Sequence, residues 1–117
     1  MRVAEMIGEE NGRAIEAALR RFVPMLESGG KEGEALSAEE WEWLAAVSDL
    51  FVWFNGTEYE RLMYFRYVRE YKHDKIAAAL CVDRLTVFKL FRDVQICAAF
   101  RATARGLIAI SPPWDIA

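Results

Sequence analysis

The stretch that most constrains this chain runs Asp74-Lys75-Ile76-Ala77-Ala78-Ala79-Leu80-Cys81-Val82-Asp83-Arg84-Leu85-Thr86-Val87-Phe88-Lys89-Leu90. Ile76, Ala77 and Leu80 fall on one face of a short helix, and Asp83 is a side chain suited to cap a second one. The spacing therefore predicts a helix-turn-helix with its turn around Cys81 and Val82. Ala77 falls where the two helices cross closely and only a small side chain fits. Val82 and Val87 are placed to plug the angle between them.

The chain has 117 residues, enough for one domain with a real core, or one small domain with an appended helical segment. Its hydrophobic content of 54% and aromatic content of 13% exclude a disordered polymer. With only three prolines, two of them adjacent near the end, an all-α fold is expected. No uncharged apolar run reaches about 18 residues, so no membrane span is expected. Glu5, Glu9 and Glu10 do not fit the basic-then-apolar form of a signal peptide, which leaves the cytoplasm as the expected location. Cys81 and Cys97 lie in apolar helical patterns, which predicts buried, reduced thiols rather than a disulfide.

The formal net charge of −3 hides a split. Residues 1–60 carry five Lys or Arg against thirteen acids, a net of −8, whereas residues 61–117 carry ten against five, a net of +5. The basic half contains the predicted helix-turn-helix. Such asymmetry is one footprint of a nucleic-acid binder with an acidic partner-facing segment.

Residues 1–12 are interrupted by Gly8, Asn11 and Gly12, which predicts a short or frayed helix. From Arg13 onward Ile15, Ala18, Leu19, Phe22, Val23 and Leu26 keep the helical period, and Pro24 is expected to end or kink that helix. Ser28 to Glu34 is a polar, glycine-rich linker without the Gly-Lys-Ser/Thr ending of a phosphate loop. Ser37-Ala38-Glu39-Glu40 is a capping box, and Asn55-Gly56 is a stop signal, so a helix should run from there to about Phe54. Along it Trp41, Leu44, Val47, Phe51 and Phe54 mark an inner face, while Trp43, Leu50, Val52 and Trp53 widen the apolar surface to most of the circumference. This is either a central core helix or a tryptophan-rich surface for a second copy or another partner.

Thr57-Glu58-Tyr59-Glu60 is a second capping box, predicting that the next helix starts at once and breaks near His73-Asp74. Its aromatics are expected to pack inward, with Arg61, Arg66 and Arg69 in solvent or on phosphate. His73, the sole histidine, is expected on the surface near a helix start, close to DNA or water; with Cys81 and Cys97 it lacks the paired spacing of a zinc site. The helix opened by Asp83 should bury Val87, Leu90, Phe91, Val94, Cys97 and Ala98 and end at Gly106. Residues 107–117, with Pro112 and Pro113, then read as an extended apolar tail that folds back or docks elsewhere. No nucleotide loop, nucleophile elbow or acid-base pair occurs in the sequence, so neither an enzyme nor a cofactor is expected.

From Thr57 to Arg105 the segment resembles region 4 of the sigma-70 family and the sigma-like helix-turn-helix domains of bacterial and phage regulators. Arg66-Tyr67 stand nine steps ahead of Ile76-Ala77-x-x-Leu80-x-Val82-Asp83-Arg84-x-x-Val87, which matches the spacing of that family's Arg-Tyr pair and its Ile-Ala-x-x-Leu-x-Val-Ser-Arg-x-x-Val motif. Cys81 replaces the turn glycine and Asp83 the capping serine. The resemblance says nothing about residues 1–56; with the flanking residues read on their own, a small all-α protein in three parts is expected. Residues 1–56 would be an acidic, tryptophan-rich segment for protein contacts or homodimerisation; residues 57–106 would bind double-stranded DNA; residues 107–117 would form the tail.

The expected function is transcription regulation by sequence-specific DNA binding, as a phage or prophage late-gene activator or antiterminator that also touches RNA polymerase or a sigma factor. Arg84 and Lys89 are expected at base edges, Phe88 as an apolar base contact, and Lys75, Thr86 and Arg92 at phosphates. Leu85 and Phe88 are large apolar groups on that reading face. They keep open a second expectation: a small, non-enzymatic interaction module whose helix-turn-helix is only a scaffold.

Overall fold

The computed structural model describes residues 3–29 and 35–109, and every regular element among them is helical. Gly8, at φ 87°, separates α1 (Val3–Ile7) from α2 (Glu9–Glu27) in a conformation that only glycine takes without strain. Sequence reading placed the α2 start at Arg13, but the helix already includes Asn11 and Gly12. Asn11 is held in place by its amide, which donates to the Ile7 carbonyl at 2.6 Å and to the Ala109 carbonyl at 3.0 Å. Pro24 does not end α2 either. It removes one N–H from the last turn, yet buried Val23 and Met25 on either side keep the chain helical to Glu27.

The capping box that opens α3 (Ala38–Phe54) is present in full. The Glu40 N–H donates to Ser37 Oγ at 3.1 Å, and the Ser37 N–H donates to Glu40 Oε1 at 2.9 Å. The helix stops at Asn55 and Gly56, the latter at φ 77°. Positions 30–34 of the predicted linker lie outside the described residues.

The inner face of α3 is rotated from the expected one. Ala46, Val47, Leu50 and Phe54 are buried, whereas Trp41, expected inside, is 57% exposed, and Val52 and Trp53 are also in solvent. A sequence apolar on nearly all sides has no polar stripe to fix its orientation. Here the side that carries Asp49 and Glu42 is tied to two arginines. Asp49 accepts from Arg101 Nη2 at 2.9 Å and Nε at 3.1 Å, and from Arg105 Nη2 at 3.2 Å, while Arg105 Nη1 also donates to Glu42 at 3.1 Å. Burial pushes the Asp49 carboxyl up, but the hydrogen bonds from Arg101 and Arg105 outweigh it and hold the pKa below the usual aspartate value.

Because the folded pKa is the lower one, this stabilisation is full above the ordinary aspartate range and is lost as pH falls through it. Asp49→Ala should cost about 1–2 kcal/mol at neutral pH, with the gap to wild type closing below about pH 4. Thermal melts across pH check both statements.

Thr57 opens α4 (Glu58–Met63) but does not form the predicted capping box. Its hydroxyl instead donates to the Phe54 carbonyl at 2.6 Å, alongside its own N–H at 2.9 Å, so it closes the end of α3 rather than the start of α4. After Met63 the helix widens into a π-turn over Tyr64–Val68, closed by the Arg69 N–H on the Tyr64 carbonyl at 3.1 Å. The break comes at Arg69 to Lys72, a few residues earlier than expected, with Glu70 left-handed at φ 56°. The widened turn carries Tyr67. Tyr67 is buried and donates its hydroxyl to Glu16 of α2 at 2.8 Å; burial and that carboxylate push its phenol far up. Phe54 and Tyr59 stack at 4.7 Å, and Tyr59 donates to Asp93 at 2.7 Å, which ties α4 to the last helix.

α5 (His73–Leu80) and α6 (Arg84–Ala104) follow, joined by Cys81, Val82 and Asp83. The turn is a Schellman closure: the Val82 N–H donates to the Ala77 carbonyl at 3.0 Å and the Cys81 N–H to the Ala78 carbonyl at 3.2 Å. Cys81 occupies the left-handed position at φ 57° and is exposed, which corrects the expectation of a buried thiol there; Cys97 is half-buried, and both thiols are free. A left-handed conformation costs an L-residue about 1–2 kcal/mol, partly offset by the flexibility that glycine adds to the unfolded chain. Cys81→Gly should therefore stabilise by about 0.5–1 kcal/mol, read as a melting midpoint a few degrees higher.

Ile76, Leu80 and Val87 close the angle between α5 and α6 and join Leu62, Met63 and Val94 in one core with Ile15 and Leu19 of α2 and Leu50 of α3. α6 ends as predicted, with Gly106 at φ 73° and a second Schellman pair, Gly106 N–H to Thr103 O at 3.0 Å and Leu107 N–H to Ala102 O at 2.9 Å. Ile108 then folds back on the core, while residues 110–117 of the predicted tail lie outside the described residues. Among the described residues no helix is long and apolar enough to cross a membrane.

Candidate nucleic-acid interface

Arg101 and Arg105 are both consumed by Asp49 and Glu42, so they leave the count of available cations. The other eight basic residues of the C-terminal half all fall between positions 61 and 92, against three acids there, a net of +5 from α4 to the start of α6. The positive charge of the chain is therefore more local than the division into halves suggested.

Asp83 sets the start of α6. Hydrogen bonds from the Thr86 hydroxyl and amide, the latter at 2.7 Å, hold its carboxylate below the usual range. As an N-cap it satisfies a donor that would otherwise point at the solvent in front of the helix. Thr86, expected to reach phosphate, is thus turned onto Asp83 and half-buried.

The remaining predicted contacts divide into three groups. Arg84 stands at the first position of α6 with its side chain 64% exposed; its Nε lies 3.6 Å from Asp74 Oδ1 and its guanidinium 5.6 Å from the Phe88 ring centre. An ion pair this exposed is readily exchanged for a phosphate or a base. Lys89 and Arg92 are exposed on the next two turns, together with Leu85 at 62% and Phe88 at 45%. Lys75, on α5, rests its ammonium 4.1 Å from the Tyr71 ring centre and remains open to solvent.

His73 stands at a helix start, as expected, but is half-buried rather than on the surface. Its ring packs 4.7 Å from Phe88 and 5.2 Å from Phe91, and burial, then the nearby Arg66 and Arg84 charges, lower its pKa. Phe88 is thus part of an internal ring contact while 45% of it remains exposed.

Sequence reading missed what lies beside this face. An open groove of about 700 Å³ separates α6 from the N-terminal half of α2. Glu9, Arg13 and Glu16 of α2, Phe88, Phe91, Arg92 and Gln95 of α6, and Arg66 and His73 from the segment between them line it. Its walls come from three distant parts of the chain, so no local spacing announces it. Comparison with family models, with curated proteins and with solved structures finds no match to this chain.

Proposed function

We propose that this chain is a DNA-binding transcription regulator that lays the first turns of α6 into the major groove of a duplex. The observation that carries the reading is the row of exposed cations, Arg84, Lys89 and Arg92, on a helix whose start is fixed by Asp83 and whose angle to α5 is locked by the Cys81 turn. A helix presented in this way fits the major groove. Arg84 and Lys89 meet base edges, Phe88 and Leu85 meet thymine methyls, and Lys75 and Arg92 neutralise phosphates on either side.

The spacing from Arg66-Tyr67 to Val87 supports a sigma-region-4-like role, in which the protein acts near a promoter as a phage or prophage late-gene activator or antiterminator. Trp41, Val52 and Trp53 of α3 then supply the surface for RNA polymerase, a sigma factor or a second copy of the chain.

A second reading, an interaction module without DNA, is favoured by one observation: two large apolar groups, Leu85 and Phe88, stand among the cations. Titration of a labelled mixed-sequence duplex at two salt concentrations decides between them. Phosphate-driven binding should weaken by about a factor of ten or more between 50 and 200 mM salt even for two or three phosphate contacts. Absent or salt-insensitive binding would remove the DNA reading.

A further inference from the structure

The groove beside α6 has a charge pattern that the fold does not use. Glu9 is within 3.9 Å of Arg13, and Glu16 is engaged twice over, by Arg20 at 3.2 Å and by the Tyr67 hydroxyl at 2.8 Å. Arg66 and Arg92 are different. Neither has a hydrogen bond or ion pair among the described residues, although Arg66 is half-buried in the lining of the groove. A partly desolvated guanidinium without a counter-charge is costly unless an anion completes it. Between the arginines, Ile7, Ile15, Phe88 and Phe91 give the groove an apolar lining. A concave, largely apolar space of this size with a few convergent polar groups is the form of a small-molecule site.

We infer that this groove binds a small amphipathic organic anion, its ring or branched hydrocarbon body between Phe88, Phe91 and Ile15 and its acidic group on Arg66 and Arg92. Gln95, also of α6, adds a neutral donor beside the acid. Arg13, of α2, is free to exchange its weak, exposed contact with Glu9 for the ligand. Because Phe88 and Arg92 also belong to the proposed DNA face, an occupant would compete with duplex; that consequence rests on the DNA reading, whereas binding of the anion does not.

The test titrates the isotope-labelled protein with naphthoate, with naphthyl phosphate and with the neutral naphthylmethanol, following backbone amides by two-dimensional NMR. Saturable shifts at Gly12, Arg66, Phe91 and Gln95 are expected for one or both acids, with the alcohol at least about tenfold weaker because it cannot complete the arginines. The stronger acid identifies the head group as carboxylate or phosphate. Arg66→Gln should weaken the acid by about tenfold and leave the alcohol unchanged; Arg92→Gln, at an exposed position, gives the same readout should the first variant not fold. Equal binding of acid and alcohol, shifts centred on Trp41 and Trp53, or no saturation with any probe would overturn the inference.

Discussion

Val87→Asp should abolish the cooperative unfolding transition of this protein. Val87 is completely buried, one turn into α6, and belongs to the same cluster as Ile76, Ala77 and Leu80 of α5. The described core holds no buried polar or charged residue, so a carboxylate placed there finds no counter-charge. An unpaired buried charge costs several kcal/mol, and the lost packing of the valine adds about 1–2 more, against a total stability of about 5–15 kcal/mol. The paired control is Leu85→Asp, two residues away but 62% exposed, which should leave the melt within a degree or two of wild type. Circular dichroism melts of both proteins distinguish a buried from a solvent-facing position on the same helix.

The second large effect concerns binding. Arg84→Ala combined with Lys89→Ala should lower duplex affinity by roughly a hundredfold at low salt, whereas Arg92→Ala, at a phosphate, should reduce the slope of log K against log salt by about 1. Neither side chain is needed for the fold. Arg84 makes only the exposed contact with Asp74 and a ring contact with Phe88, Lys89 is exposed, and the helix start is held by Asp83 and Thr86. An unchanged melt with lost binding is the expected pair of results. An unchanged affinity would rule out this face of α6.

What could be read from the residues follows a physical divide. Ser37 with Glu40, Asp83, Asn55-Gly56 and Gly106 act through bonds to backbone groups a few residues away, so their sequence neighbourhood contains the whole interaction. Thr57 carried the same signature as Ser37 and took another partner, the Phe54 carbonyl at the end of the preceding helix, which accepts both its hydroxyl and its N–H. The orientation of α3 was hidden for a different reason. Its apolar residues surround it, and the bonds that tie its Asp49 run to Arg101 and Arg105, more than fifty residues away. The same holds for the π-turn, whose Tyr67 answers to Glu16 on another helix.

The candidate site shows the divide in miniature. The exposure of Arg84, Leu85, Lys89 and Arg92 followed from the period of α6 and was legible. The ring contact of His73 with Phe88 and the groove that Arg66 and Arg92 share were not, since they exist only once α2, the π-turn and α6 are brought together. Two expected phosphate or base contacts are accordingly less free than the sequence suggested: Thr86 is held by Asp83, and Phe88 is half used by the protein itself.

The most direct test of the proposed DNA face is a map of duplex-induced shifts on the isotope-labelled protein. Titration with a mixed-sequence duplex at low salt should move the backbone amides from Arg84 to Arg92 and that of Lys75, while the indole signals of Trp41 and Trp53 stay in place. Shifts confined to α3, or a spectrum unchanged at saturating duplex, would contradict the account.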